Sequence, residues 1–150
     1  MRRTLLLTLA CGVAATGCGS AAATTAPMKS ERGASVRVMS SRYGKVLFDG
    51  RSRALYLFTR ERGRRSRCYG ACAKAWPPFL TKGKPRAIRG ADASLLGTTR
   101  RRDGSAQVTY AGHPLYYYVG DTKAGQILCQ GVTEFGGTWW VVNPNGTART

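Results

Sequence analysis

One seven-residue pattern occurs twice in this chain, sixty residues apart, and it limits the available folds more than any other feature. Leu55-Tyr56-Leu57-Phe58-Thr59-Arg60-Glu61 reappears as Leu115-Tyr116-Tyr117-Tyr118-Val119-Gly120-Asp121. Each copy follows a valine-containing apolar run and a glycine turn, at Gly50 or Gly112, and each leads to a cysteine (Cys68 or Cys129) and then a tryptophan (Trp76 or Trp139). An order kept over so many elements marks an internal duplication. Leu55 and Leu57 fall on one face of a strand and Tyr56 and Phe58 on the other, so both faces are apolar and the strand is covered on both sides or sits in an interior position. The expected fold is mainly β. Two tandem β-hairpin-type repeats, about 43–80 and 105–143, are expected to pack with pseudo-twofold symmetry into one small domain spanning 42–143. The acid that closes each copy, Glu61 or Asp121, is expected to cap a turn or pair with backbone amides.

Turn and cap signals complete the outline. Residues 43–48 and 54–59 flank Asp49-Gly50, and residues 98–102 and 105–110 flank Asp103-Gly104; both pairs read as hairpins. Strands are expected again over 115–119 and 138–142. Short helical turns are expected near 71–76, where Pro77-Pro78 must end them, and near 92–96, with Asp92 as N-cap and Gly97 at the stop. Residues 144–150 read as a polar, fraying tail.

The N-terminus has the parts of an export signal. Arg2 and Arg3 are followed by an apolar run over residues 5–15 and by Ala15-Thr16-Gly17, so residues 1–17 read as a signal peptide. The apolar run is too short for a transmembrane helix. Cys18, directly after the small residues, is the expected site of lipidation, with residues 18–41 as lipidated N-terminus and Gly/Ser/Ala/Thr-rich flexible tether. Each buried methylene of an acyl chain contributes about 0.8 kcal/mol, and two chains anchor firmly. The Arg-Arg pair also permits twin-arginine export.

Lys and Arg number 24 against 7 acids, for a formal net charge of +17. The arginines cluster at Arg62, Arg64, Arg65 and Arg67, beside Arg60, and again at Arg100, Arg101 and Arg102. Such clusters favour anionic partners, and for an exported chain these are lipid headgroups or cell-wall polymers rather than nucleic acid.

Catalytic constellations are missing from the sequence. His113 is the only histidine, and no Gly-x-Ser-x-Gly accompanies it; its place before Pro114 makes it an exposed turn residue. Cys-x-x-x-Cys at Cys68 and Cys72 is one residue longer than a thioredoxin-type site. A zinc site from Cys68, Cys72, Cys129 and His113 has suitable ligand types, but an oxidising compartment argues against it, so no metal or other cofactor is expected. The aromatics Tyr56, Phe58, Tyr116, Tyr117, Tyr118, Trp139 and Trp140 are expected mainly in the core.

The order Tyr56 to Glu61, Cys68-x-x-x-Cys72-Ala73-x-x-Trp76-Pro77-Pro78, the stretch from Leu95 to Tyr116 and Gly136-Gly137-x-Trp139 resembles the bacterial secreted-repeat lipoproteins. The resemblance covers about residues 43–143 and implies an envelope lipoprotein whose family activity is unassigned. It also implies a Cys68–Cys72 disulfide, because relatives without the third cysteine keep that pair; Cys129 is then a buried free thiol or an intermolecular linker. Two departures stand out: Glu61 where the family motif has aspartate, and Cys129 itself. The expected role is non-enzymatic binding or organisation of anionic envelope components. The alternative is a thiol–disulfide or electron-transfer accessory using Cys68, Cys72 and Cys129.

Overall fold

The computed structural model describes residues 33–150, so the expected signal peptide and Cys18 lie outside the described residues. Strand β1 (Ser35–Ser41) alternates Val36 and Val38 with polar neighbours, and Gly44 at φ +86° lets the chain reverse into β2 (Gly44–Asp49). The two pair antiparallel from Val36↔Asp49 to Ser41↔Gly44. Order therefore begins before residue 42, and the expected tether does not extend to residue 41. The Ser-, Ala- and Gly-rich flank hid a strand whose valines alternate with period two.

Three small sheets follow. The first has the order β2-β1-β5, with β5 (Arg86–Ile88) parallel to β1. The second has the order β3-β10-β9, from β3 (Tyr56–Phe58), β10 (Gly137–Val141) and β9 (Val132–Glu134). The third joins β4 (Leu80–Thr81), β7 (Ala106–Tyr110) and β6 (Leu96–Arg100), with β8 (His113–Pro114) also on β7. Helix α1 (Ala71–Ala75) and a 3-10 turn (Ala93–Leu95), whose Asp92 side chain accepts from the Ser94 N–H, stand where the sequence placed them.

The pseudo-twofold can be read in the hydrogen bonds. Tyr56 and Tyr116 donate to each other's carbonyls at 2.9 Å, so the axis passes between these equivalent residues. Leu47 N–H donates to Val142 O and Leu47 O accepts from Leu55; likewise Val108 N–H donates to Phe79 O and Val108 O accepts from Leu115. The repeats also exchange partners. Tyr56–Phe58 of the first pairs with β10 of the second, whereas Leu115 and Tyr117 of the second pair with Phe79 and Pro77 of the first. The expected hairpin around Asp49-Gly50 is thus present only near the turn, at Phe48↔Ala54, before β3 leaves for β10.

Two cores sit on opposite faces of β3. Tyr56 and Phe58 join Trp76, Tyr116, Trp139 and the Cys68–Cys72 pair on one side; Leu55 and Leu57 join Val108, Tyr110, Leu115 and Val142 on the other. Both faces of β3 are thus covered, as its two apolar faces led us to expect, although β3 ends the order of its own sheet. Gly137 explains the Gly-Gly-x-Trp signature, since a Cβ there would stand 2.6 Å from the Phe58 ring and 2.9 Å from the Arg60 backbone nitrogen. The expected fraying tail is instead folded back: Val142 bridges Ala148, and Arg149 N–H donates to Val141 O at 2.9 Å.

Candidate functional site

The repeat motif builds the centre of the molecule. Phe58, Trp139 and Trp76 stack in that order with centroids 4.1 Å apart at each step, and Tyr118 closes the stack at 4.9 Å from Trp76. Tyr56 meets Trp76 edge-on at 5.2 Å, and Tyr116 meets Trp139 in the same way at 5.2 Å. Offset and edge contacts of this kind add to area burial. Each motif acid reaches across the axis. Asp121 accepts the Tyr56 hydroxyl at 2.6 Å and the Leu128 N–H at 3.0 Å; Glu61 accepts the Tyr116 hydroxyl and the Arg67 N–H at 2.8 Å. The backbone amide was the expected partner, and the tyrosine of the opposite repeat is the one that sequence reasoning missed. Glu61 fills the aspartate's role despite its longer side chain. One indole breaks the symmetry: Trp76 Nε1 donates to Glu134 at 3.0 Å, whereas Trp139 Nε1 is buried without a partner. The helix preceding Trp76 carries no acid to serve it.

Burial raises the Glu61 carboxyl to about 7, against the opposing pull of the Tyr116 and Arg67 hydrogen bonds and the Arg101 charge. Its Oε2 is buried without a partner, which is what penalises the charged form. A folded pKa above the unfolded value means that the native state holds its proton longer as pH rises. The contribution of Glu61 to stability is then greatest below about pH 4.5 and is lost up to about pH 7, by about 3 kcal/mol at 1.36 kcal/mol per decade. Burial raises Asp121 in the same direction. Urea titrations across that window are expected to show the fall in wild type and a flatter profile in Glu61→Gln; a wild-type profile that rises would contradict it.

The arginines separate into two groups. Arg101 is 5% exposed and sits inside the protein. Its guanidinium donates to Ser66 Oγ and Gln107 Oε1 at 2.7 Å and to Cys68 O at 2.8 Å, and packs on the Tyr69 ring at 4.4 Å. It is therefore removed from the expected anion-binding set. Arg62, Arg64, Arg65, Arg67, Arg100 and Arg102 are exposed. Arg62 and Arg67 come together with Arg60, which donates to Phe135 O at 3.0 Å. These three line a cleft of about 370 Å³ that continues into one of about 560 Å³ walled by Arg60, Arg67, Tyr69, Ala71, Cys72 and Phe135. Among the described residues no acid lines either part. Arg102 stacks on the Tyr69 ring at 4.5 Å, while Arg64, Arg65 and Arg100 stay outside the cleft walls. The exposed Phe135 was missed because it lies in a turn with φ +56° rather than on a strand.

Cys68 and Cys72 form the disulfide that the resemblance implied, with Cα atoms 5.2 Å apart. Among the described cysteines Cys129 is free, and it is half-buried; burial raises its thiol, opposed by a hydrogen bond with Tyr118. His113 is half-buried in β8 opposite Tyr110, not an exposed turn residue, because the turn itself is Ala111-Gly112. Among the described residues no group of three or more His, Cys, Asp or Glu is placed to hold a metal, and no helix is long and apolar enough to cross a membrane.

Comparison with curated proteins and with solved structures finds no match. A family model does match, twice: Lipoprotein_15, described as a secreted repeat of unknown function, covers residues 37–79 and 97–143. The two matches begin at equivalent points within β1 and at the start of β6, so each repeat includes one strand more than the pattern at 43–80 and 105–143 suggested. With two copies of the repeat spanning most of the described residues, the chain belongs to this family of secreted repeats.

Proposed function

We propose that this is a lipid-anchored, non-enzymatic envelope protein that binds a polyanion in the cleft of Arg60, Arg62 and Arg67. The observation that carries the reading is three arginines lining one concavity with no acid among its described walls. Cations brought together in a partly enclosed cleft raise the local potential and attract anionic groups more strongly than isolated surface charges do. Tyr69 and Phe135 add aromatic walls, against which the apolar faces of a glycan or glycerol-phosphate chain can rest. The family's description as a secreted repeat supports this reading, because an exported chain meets such polymers and lipid headgroups. Cys18 supplies the anchor in this reading, and mass spectrometry of the mature chain tests it directly.

Thiol–disulfide exchange through Cys68, Cys72 and Cys129 gains no support from the geometry. The thiolate is the attacking species, and burial holds the Cys129 thiol above its ordinary value.

The binding test compares two variants of equal charge. Arg60→Ala/Arg62→Ala/Arg67→Ala is expected to weaken binding to poly(glycerol phosphate) or phosphatidylglycerol vesicles at least tenfold, about 1.4 kcal/mol, and to flatten its salt dependence. Arg64→Ala/Arg65→Ala/Arg100→Ala is expected to lose several-fold less. Equal losses in both variants would reduce the cleft to undirected surface charge and overturn the reading.

A further inference from the structure

The pseudo-symmetry is broken at one sheet edge. On the outer side of β1, Val38 N–H donates to Arg89 O at 3.2 Å and Ala34 O accepts from Arg86 at 2.8 Å, so β5 covers that edge as a parallel strand. The counterpart of β1 in the second repeat is β6: Val38 faces Leu47 as Thr98 faces Val108. In the third sheet β6 is the terminal strand among the described residues.

The ladder phase shows which groups this leaves unpaired. Ala111 N–H donates to Leu95 O at 2.8 Å and Arg101 N–H donates to Ser105 O at 2.9 Å. In an antiparallel pair these bonds bracket non-hydrogen-bonded positions, so Leu96↔Tyr110, Thr98↔Val108 and Arg100↔Ala106 are all of that kind. Val108 spends both of its backbone groups on Phe79 and Leu115, which agrees with this phase. The backbone N–H and C=O of Thr98 and Arg100 therefore point away from β7, and Thr98 stands at the position where Val38 meets Arg89, the residue that follows β5.

A cavity of about 840 Å³ lies against this strand. It is lined by Leu96, Gly97 and Thr98 of β6 and by Arg86 and Ala87 of β5. The bond from Arg86 N–H to Ala34 turns Ala87's own backbone groups to the side of β5 away from β1. Ala93, Pro85 and Ala106 give the cavity apolar walls, while exposed Lys84 and Arg86 line it and exposed Arg100 ends β6. No acid lines it.

We propose that the uncovered edge of β6 is a docking site for an extended acidic peptide segment of a partner protein, which adds as a strand beside Thr98 and Arg100. Main-chain hydrogen bonds to an exposed edge supply affinity in this mode of recognition, and alternate side chains supply specificity. The chain carries its own template for the complex in β5 on β1. Apolar walls flanked by Lys84, Arg86 and Arg100 select a segment in which acidic and apolar residues alternate. A polyanion without a peptide backbone could answer the charges but not the ladder.

The probe is a capped peptide of three Glu-Val pairs, with the Lys-Val peptide as charge control, read by backbone amide NMR on the folded chain. In the free protein the Thr98 amide is expected to exchange at least 100-fold faster than the Val38 amide. Saturating Glu-Val peptide is expected to slow Thr98 and Arg100 at least tenfold, and the Lys-Val peptide is not. Thr98→Pro removes an outward N–H that the β6–β7 ladder does not use, so it is expected to cut affinity at least tenfold. The Arg60→Ala/Arg62→Ala/Arg67→Ala variant is expected to bind the peptide as wild type does, which separates this site from the polyanion cleft. Unchanged exchange at Thr98 and Arg100 overturns the proposal, and that measurement decides alone if Thr98→Pro fails to fold. A Thr98 amide that is already slow, and becomes fast on dilution as the chain dissociates, would assign the edge to a second copy and overturn it equally.

Discussion

Replacing Trp139 with alanine is expected to cost the domain about 3–5 kcal/mol, the range for deleting a large buried aromatic. Against a total stability of about 5–15 kcal/mol for a domain of ordinary size, that loss is from about a fifth to all of the stability. The expected effect follows from where the ring lies. Trp139 is fully buried, stacks between Phe58 of one repeat and Trp76 of the same repeat, and receives the edge of Tyr116 from its own. Its strand, β10, is also the one that pairs with β3 across the duplication. Removing the ring opens a cavity where the two repeats meet, and rigid strands on either side limit its collapse.

Trp139→Phe separates packing from hydrogen bonding. Trp139 Nε1 has no partner, so phenylalanine loses volume and relieves an unpaired buried donor. Trp76→Phe loses similar volume and also the bond to Glu134. The Trp139→Phe variant is therefore expected to be the milder of the two, by about 1 kcal/mol. Urea unfolding followed by circular dichroism measures both. A Trp139→Ala loss below about 1 kcal/mol, or a reversed order of the phenylalanine variants, would show that the stack does not join the repeats.

The duplication was legible because its signal is local: aromatic and aliphatic residues alternate along seven positions, and strand faces follow directly from that alternation. Asp103-Gly104, Ala111-Gly112 and Pro77-Pro78 were legible for the same reason, since turn chemistry depends on neighbours in the chain. Partner exchange was not. Nothing in Tyr56-Leu57-Phe58 says that its ladder lies with Trp139–Val141 rather than with residues 43–48, because a strand with two apolar faces is compatible with either neighbour. The pairing of Tyr56 with Asp121 and of Tyr116 with Glu61 is likewise a consequence of symmetry rather than of spacing. The β1 strand was obscured by its serines, and the C-terminal fold-back by turn residues that read as an end. Charge clusters were the least informative signal: Arg100-Arg101-Arg102 is one run in sequence, yet its middle member is buried and its neighbours are exposed. A strand end alternates sides, so three consecutive arginines cannot share one environment.

That buried member carries the second large effect. Arg101→Ala is expected to destabilise the domain by about 3 kcal/mol, the lower end for removing one partner from a buried charged network. The guanidinium is held where the β6–β7 hairpin turns, since Arg101 N–H donates to Ser105 O, and from there it reaches three acceptors in two other segments: Ser66 Oγ, Gln107 Oε1 and Cys68 O. Ser66 bonds in turn to the Tyr116 hydroxyl at 2.7 Å, and Tyr116 donates to Glu61. Alanine leaves Gln107, which is fully buried, and the Cys68 carbonyl without this donor. Lysine keeps the charge but has no planar fork with which to serve separated acceptors, so Arg101→Lys is expected to recover only part of the loss. Arg100→Ala, one residue away and exposed, is expected to stay within about 0.5 kcal/mol. A pH signature distinguishes a network from mere packing. The Arg101 charge pulls the Glu61 carboxyl down, so its removal raises Glu61 further above about 7 and extends the pH range over which stability falls. Urea midpoints for Arg101→Ala are therefore expected to keep declining above pH 7, where those of wild type have levelled. A variant that loses stability equally at every pH would show that Arg101 acts only by filling space beneath Tyr69.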